Sequence, residues 1–397
     1  MAWRMLALLA VAELLGMALW FTGSAVGPSL ARAWGLTSGQ VGWLTTAVQL
    51  GFVLGTAASA LLNLADTVPS RRLFALSAAA GAGANALLAA TDRFEVALLS
   101  RLLSGVCLAG VYPPAMKMAA TWFASRRGVA VGTIVGALTV GKALPYAAQA
   151  FPELPVATVV QLASASAVLA AVVVGVGYRD GPYAFPSRPF AWGRVGEVVR
   201  SRRWRLATGG YLGHMAELYA FWTWIPAFLT AHEASRAARL GEVPHATLAA
   251  LTGVGVIAVG GLGCVWGGLV ADRVGRVPLV TWAMAISGSC AVLIGAAFGR
   301  SWWLMAPLAL AWGFFVIADS AQFSVLVTES VPPHAVGTAL TLQLSLGFLL
   351  TMGTIQLIPP LARWVGWGWV FPVLAVGPVL GIASVRRLAR TEAGRPS

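Results

Sequence analysis

The sequence predicts an all-α polytopic membrane protein, with twelve transmembrane helices in two parallel-repeat six-helix bundles. Three observations carry that expectation. Hydrophobic residues make up 58% of the chain and charged residues only 10%, where soluble domains carry about 25% charged residues. Apolar runs of about 20 residues, enough to cross a bilayer core, recur from end to end, and the short alternating strands of a membrane barrel do not occur. Short motifs of the first half also return, in order, in the second.

The runs fall near 5–27, 40–62, 73–91, 95–123, 128–150, 155–178, 206–231, 246–270, 278–298, 302–328, 335–361 and 364–388. The first, behind Arg4, has the outline of a signal peptide. Glu13 inside it and its echo at Glu217 predict a retained helix instead. Connections are short except between Arg179 and Arg205, a stretch rich in Arg, Pro and Gly. It divides the chain into an N-terminal bundle (1–178), a cytoplasmic linker (179–205) and a C-terminal bundle with a short tail (206–397). Part of the linker, Trp192 to Val199, reads as an amphipathic helix on the anionic inner leaflet. His232 to His245 is the one sizeable external loop.

With a cytoplasmic N-terminus, most of the 27 Lys and Arg residues fall on the cytoplasmic side. That is the positive-inside asymmetry, so the net charge of +13 sets orientation and does not point to nucleic acid. The expected location is the cytoplasmic membrane, crossed many times, with both termini cytoplasmic. Cys107, Cys264 and Cys290 all lie in apolar runs and read as small core residues.

The repeat is carried by three matches at a nearly constant offset. Ala12-Glu13-Leu14 with Trp20 returns as Ala216-Glu217-Leu218 with Trp224. Ala130-Val131-Gly132-Thr133 returns as Ala335-Val336-Gly337-Thr338, and Asp66 as Asp272. Six crossings per half bring the chain back to the same side, so the repeats run parallel, about an axis along the membrane normal.

The loop after the eighth run reads Gly268, Asp272-Arg273, Gly275-Arg276. It resembles the loop signature of the major facilitator superfamily, G-x-x-x-D-R-x-G-R. The first-half copy departs from it: Leu62 and Pro69 replace the glycines and Thr67 follows Asp66, while Arg71 and Arg72 remain. Bottom-up, the loop makes sense as a cytoplasmic gate of Asp66, Arg71, Gly268, Asp272, Arg273, Gly275 and Arg276. Gly275 permits a tight turn, and Asp272 can cap or pair with arginines near a helix end. Arg101 and Gly105 are similar to the family's R-x-x-x-G pattern in helix 4, which implies a part in proton coupling for Arg101. The Gly-Pro dipeptide of drug/proton antiporters is missing from helix 5, which has Gly136, Gly141-Lys142 and Pro145. Helices 2 and 8 lack the arginines of nitrate carriers. Both departures argue against those branches.

The resemblance implies helices 1, 4, 7 and 10 around a central cavity and helices 3, 6, 9 and 12 outside. Ionisable residues follow that partition: Glu13 in helix 1, Arg101 and Lys117 in helix 4, His214 and Glu217 in helix 7, Asp319 in helix 10 and Lys142 in helix 5. A charge near the bilayer centre costs about 2.5–3.5 kcal/mol on insertion scales, so such groups face water or one another. Glu13, Glu217, Asp319, Arg101 and His214 are the proton-coupling candidates, since a carboxyl in a poorly solvated cavity can load and release protons near neutrality. His214 and Glu217, three residues apart, face the same way as a relay. Lys142, Trp20, Tyr219, Trp222, Gln322 and Gln343 are the substrate-binding candidates. Lys142 has Glu13, Asp319 or an anionic substrate as prospective partners, and Lys117 snorkels to the cytoplasmic surface.

Gly253-x-Gly255-x-x-Ala258 mimics a dinucleotide fingerprint but lies in an apolar helix with no preceding strand, so close helix packing explains it better. No Walker motif, metal-ligand cluster or cofactor motif occurs, so no enzyme, cofactor or metal is expected. The reading is a monomeric secondary transporter of a small solute, an anion or a zwitterion, with protons and the lipid bilayer as its other partners and no nucleic acid. The alternatives are a facilitative or efflux carrier without proton symport, and a non-transporting solute receptor on the same scaffold.

Overall fold

The computed structural model describes residues 1–123, 127–151, 153–183 and 190–393, without the side chains of residues 65, 66, 127, 392 and 393. Eleven helices of the described residues have the length and hydropathy to cross a membrane. They are α1 (Ala2–Trp34), α2 (Ser38–Leu61), α3 (Ser70–Ala89), α4 (Phe94–Ala120), α5 (Gly128–Ala150) and α6 (Val156–Gly177). After α7 follow α8 (Ala246–Val274), α9 (Arg276–Ala297), α10 (Trp302–Glu329), α11 (Pro333–Val365) and α12 (Trp367–Thr391).

The remaining helix, α7 (Arg202–Leu240), is the longest at 39 residues yet falls outside that set. Its apolar run is interrupted by His214 and Glu217 and is rich in Tyr and Trp, which lowers its hydropathy. Those residues are buried inside the protein, His214, Glu217, Tyr219, Trp222 and Trp224 alike. A helix with protein on most sides has no need of a lipid-compatible surface.

Two groups of six helices result. In the first, α1 packs on α5 and α6, α3 on α6, and α2 on α4; in the second, α7 packs on α11 and α12, and α9 on α10 and α12. The halves meet along two seams, α2 with α11 and α5 with α8. At the second seam the backbones nearly touch: a Cβ on Gly136 would stand 2.9 Å from the Gly261 carbonyl oxygen. The outward faces of α3, α6, α9 and α12 carry exposed apolar side chains such as Leu76, Val176, Leu293 and Val379, as a lipid-facing surface requires.

Several boundaries differ from the sequence expectation. Gly35, in the left-handed region at φ 67°, closes α1 past the expected end. The expected external loop is helical as far as Leu240, where Gly241 (φ 68°) stops α7. Its Ala-rich stretch favours helix, and Arg236 pairs with Glu233 three residues earlier at 2.8 Å. At 1.5 Å per residue α7 is about 58 Å long, so it projects well beyond a bilayer core of about 30 Å.

The linker forms a short helix, Trp192–Arg200. It is tied to α11: the Ala191 N–H donates to Thr338 Oγ1 at 2.9 Å, and Glu197 lies 3.1 Å from His334 Nε2. His334, and then Arg194 at 3.0 Å, hold the Glu197 carboxyl below the usual carboxylate range.

Candidate functional site

Among the described residues, four helices are interrupted in mid-span. In α1 the break spans 18–21, in α4 it lies at 109–111, in α8 at Val259 and in α10 at Asp319. Pro113 and Pro114 account for the break in α4: neither has an N–H to bond back into the preceding turn, so a new helix starts at Tyr112. A break at membrane depth frees carbonyls that must find donors within the protein. At α1 the donor is Arg101, fully buried, whose Nη2 donates to the Leu19 and Trp20 carbonyls at 2.6 and 2.8 Å. Its Nη1 donates to Asn85 Oδ1 at 2.5 Å. The residue expected to couple protons thus holds α1 to α3 and α4, and lies behind the cavity and not in it.

The breaks of α4 and α10 flank a central cavity of about 50 Å³, with Tyr112 on one side and Ser320 on the other. Its walls come from α1, α2, α4, α5, α7, α10 and α11, none of them a helix expected on the periphery. Aromatic rings from both halves close it. Phe52 of α2 lies 4.7 Å from Phe348 of α11, and Trp20 of α1 lies 5.8 Å from Tyr219 of α7. Toward the face opposite the termini, the closure continues through hydrogen bonds between halves. Gln356 Nε2 donates to Thr46 Oγ1 at 3.0 Å, and Tyr146 donates to the Trp222 carbonyl at 3.3 Å.

Lys142 stands inside this cage. Its Nζ donates to the Tyr219 hydroxyl oxygen at 2.6 Å and lies 3.9 Å from the Trp20 ring centroid and 5.3 Å from that of Trp222. Cation–π contacts of this kind strengthen where water is excluded. Lys142 reaches the cage because Gly141 lets α5 approach α1 closely: any Cβ there would run into the Leu14 carbonyl. The same contact brings Glu13, fully buried and without a hydrogen-bond partner among the described residues, into the electrostatic field of Lys142.

The other acidic candidates are buried apart from the cavity, inside the second half. Glu217 accepts from Ser287 Oγ of α9 at 2.9 Å and from Trp312 Nε1 of α10 at 2.7 Å. Asp319, at the α10 break, pairs with His214 Nδ1 at 2.9 Å. His214 and Glu217 therefore turn to different partners, not to one another, and Asp319 is not the partner of Lys142. The ionisable candidates expected around the central cavity thus divide: Lys142 stands in it, backed by Glu13, while Glu217, His214 and Asp319 lie in a separate polar cluster in the second half. Of the substrate-binding candidates, Lys142, Trp20, Tyr219 and Trp222 line the cavity. Gln343, which donates to the Phe323 carbonyl at 3.4 Å, and Gln322 do not. Tyr112, Tyr211, Phe52 and Phe348 also line it, and of these only Tyr112 carries a sequence signal, the prolines that follow it.

At the terminus-bearing face, Gly275 takes φ 90°, so the turn there does demand glycine. Arg276 pairs with Glu329 at the end of α10 at 3.1 Å. Asp272 and Arg273 are exposed, and Gly268 is buried in α8 beside the start of α5. Arg71 is exposed at the start of α3, while the Asp66 side chain lies outside the described residues. No group of three or more metal-ligating side chains occurs among the described residues.

Among solved structures, 318 chains match this fold. One is the nucleoside transporter NupG, with a TM-score of 0.72, 13% identity and coverage of 97% of this chain and 99% of that one. Another is a bacterial homologue of the human lysosomal transporter Spinster, inward-facing and occupied, with a TM-score of 0.69, 16% identity and coverage of 99% and 98%. At such identities the likeness concerns the fold alone. No curated protein matches the chain. The family model of the Major Facilitator Superfamily matches residues 8–355. With its two six-helix halves around a central cavity, the chain belongs to the Major Facilitator Superfamily, as a multi-pass membrane transporter and not an enzyme.

Proposed function

We propose that the protein is a proton-coupled secondary carrier of a small polar solute, an anion or a zwitterion, working as a monomer in the cytoplasmic membrane. The moving parts are the halves 1–178 and 206–397, rocking about the seams on either side of the cavity. The terminus-bearing face is cytoplasmic, because most Arg residues lie there.

The observation that carries this reading is the caged Lys142 with Glu13 behind it. A cation in a small aromatic cavity between two halves is a binding group for negative charge. Once an anion enters, Lys142 stands between two negative groups, ligand and Glu13. Burying that excess charge is costly, so a proton on Glu13 favours the loaded state. Solute and proton then travel together. Glu217, held by two donors, and the His214–Asp319 pair shape the second half against which the first one moves.

The test is uptake of a metabolite panel into proteoliposomes, with and without an inward-acid pH gradient. Saturable uptake that the gradient accelerates, and that Glu13→Gln makes insensitive to the gradient, is expected. Equal gradient-driven uptake by Glu13→Gln would refute the proton role. Binding without flux of any solute would favour a receptor.

A further inference from the structure

We infer that the ligand of the Lys142 cavity is a monocarboxylate with a flat apolar body, such as an aryl carboxylate, and that zwitterions and cations are excluded. The inference rests on the carrier reading and narrows it to one chemical class.

Besides the hydroxyls of Tyr112, Tyr211, Tyr219 and Ser320, which can donate or accept, the polar side-chain groups lining the cavity are all donors. The Lys142 ammonium has three N–H groups and no acceptor. Trp20 and Trp222 both line the cavity, and the indole N–H of each is buried without a hydrogen-bond partner among the described residues. Indole nitrogen can only donate. Tyr219 accepts from Lys142 Nζ, so its own hydroxyl hydrogen is left for another acceptor. Buried donors without acceptors are costly, and two of them beside a buried cation ask for a ligand bringing oxygen acceptors and negative charge. A carboxylate supplies both, with two oxygens and about four lone-pair positions.

The same inventory argues against an amine. Among the residues lining the cavity there is no Asp, Glu, Asn or Gln to receive an ammonium group. Glu13 is fully buried behind Lys142 and does not line the cavity. A zwitterion would bring its positive end to Lys142 and two indole donors, leaving that charge unpaired.

The body of the ligand is defined by the rings. Trp20, Phe52 and Phe348 form a contiguous cluster of tilted rings, with Trp20 5.1 Å from Phe52 and 5.7 Å from Phe348. A flat apolar group packs against such ring faces and edges, whereas a sugar or polyol would leave its hydroxyls facing ring carbon. The cavity of about 50 Å³ is well below the ~150 Å³ that accommodates benzene in an apolar protein interior. A ligand of that class therefore needs the Phe52–Phe348 contact, at 4.7 Å, to part.

The experiment measures thermal stability and intrinsic Trp fluorescence of the purified full-length protein in nanodiscs, titrated with benzoate, phenylacetate and hexanoate. Benzyl alcohol, benzylamine and phenylalanine serve as the neutral, cationic and zwitterionic counterparts. At least one aromatic carboxylate is expected to stabilise the protein saturably, with hexanoate weaker and the three counterparts silent. Trp20→Phe keeps a ring and removes one N–H, and is expected to weaken that carboxylate about tenfold, the equivalent of about 1.4 kcal/mol. Lys142→Met is expected to abolish the response; should it fail to fold, the ligand panel on the wild-type protein and Trp20→Phe still decide. No response to any carboxylate, or an equal response to benzyl alcohol or phenylalanine, overturns the inference. Gradient-driven flux of a solute outside this class would overturn it while leaving the carrier reading intact, whereas carboxylate binding without flux would do the reverse.

Discussion

Tyr219→Phe isolates one bond between the two halves. The hydroxyl oxygen accepts from Lys142 Nζ at 2.6 Å, with Lys142 on α5 of one half and Tyr219 on α7 of the other. The substitution keeps the ring, so the cation–π contacts with Tyr219 at 4.7 Å and Trp20 at 3.9 Å persist and no cavity forms. A hydrogen bond from a charged donor contributes about 1.5–3 kcal/mol. The loss falls only on states in which the halves meet at this point, which makes it a shift of about 10- to 150-fold in the equilibrium between closed and separated arrangements. Starting from a closed population of about 99%, the separated state would rise to about 10–60%. Spin labels at Ser29→Cys and Thr230→Cys, two positions toward the face opposite the termini, would report it in a background with the native cysteines replaced. A second, longer distance should gain population in Tyr219→Phe. An unchanged distance distribution would refute the argument that this bond holds the halves together.

Other outcomes follow from the packing. Gly141→Ala should lower thermal stability by about 1–3 kcal/mol through overpacking, because the fixed Leu14 carbonyl occupies the space a Cβ needs; a denaturation series checks it. Arg101→Met strips three acceptors, the Leu19 and Trp20 carbonyls and Asn85 Oδ1, of their donor. It should cost about 3 kcal/mol or more at roughly 1–3 kcal/mol per buried unsatisfied group, and Arg101→Lys should rescue only part, as an ammonium cannot span all three. Beyond the bilayer core, the hydrogen bonds from Arg236, and then those from the His245 N–H and Trp302, pull the Glu233 carboxyl down to about 2. A depressed carboxyl stabilises the fold fully above its unfolded value of about 4.5. Wild-type thermal stability should therefore drop between about pH 4.5 and 2, and Glu233→Gln should lose about 1 kcal/mol at neutral pH and flatten that drop.

The fold was legible because long apolar runs, loop charge and internal repeats are local or periodic signals. The contents of the cavity were legible in part. Lys142 stood out as a cation inside an apolar run, and Trp20, Tyr219 and Trp222 as aromatics near the repeated carboxylates. Partnerships were not legible, because they depend on helices far apart in sequence. Glu13 and Glu217 occupy matching motifs, yet Glu217 meets Ser287 and Trp312 while Glu13 meets no donor. Arg101 likewise matches a pattern linked to proton coupling, but the interruption of α1 gives its guanidinium carbonyls to hold. Asp319 and His214 show the same limit: the break in α10 that sets their pairing has no Pro or Gly to announce it.

The low hydropathy of α7 bears on biogenesis. During synthesis each segment is offered to lipid alone, and one carrying His214, Glu217 and several Tyr and Trp residues is a reluctant guest there. Its retention in the membrane depends on later arrivals, since Ser287 and Trp312, which satisfy Glu217, are translated only after α7 has emerged. Truncated chains ending before α9 should therefore leave α7 incompletely integrated, as glycosylation mapping of nascent chains would reveal, and full-length chains should recover it.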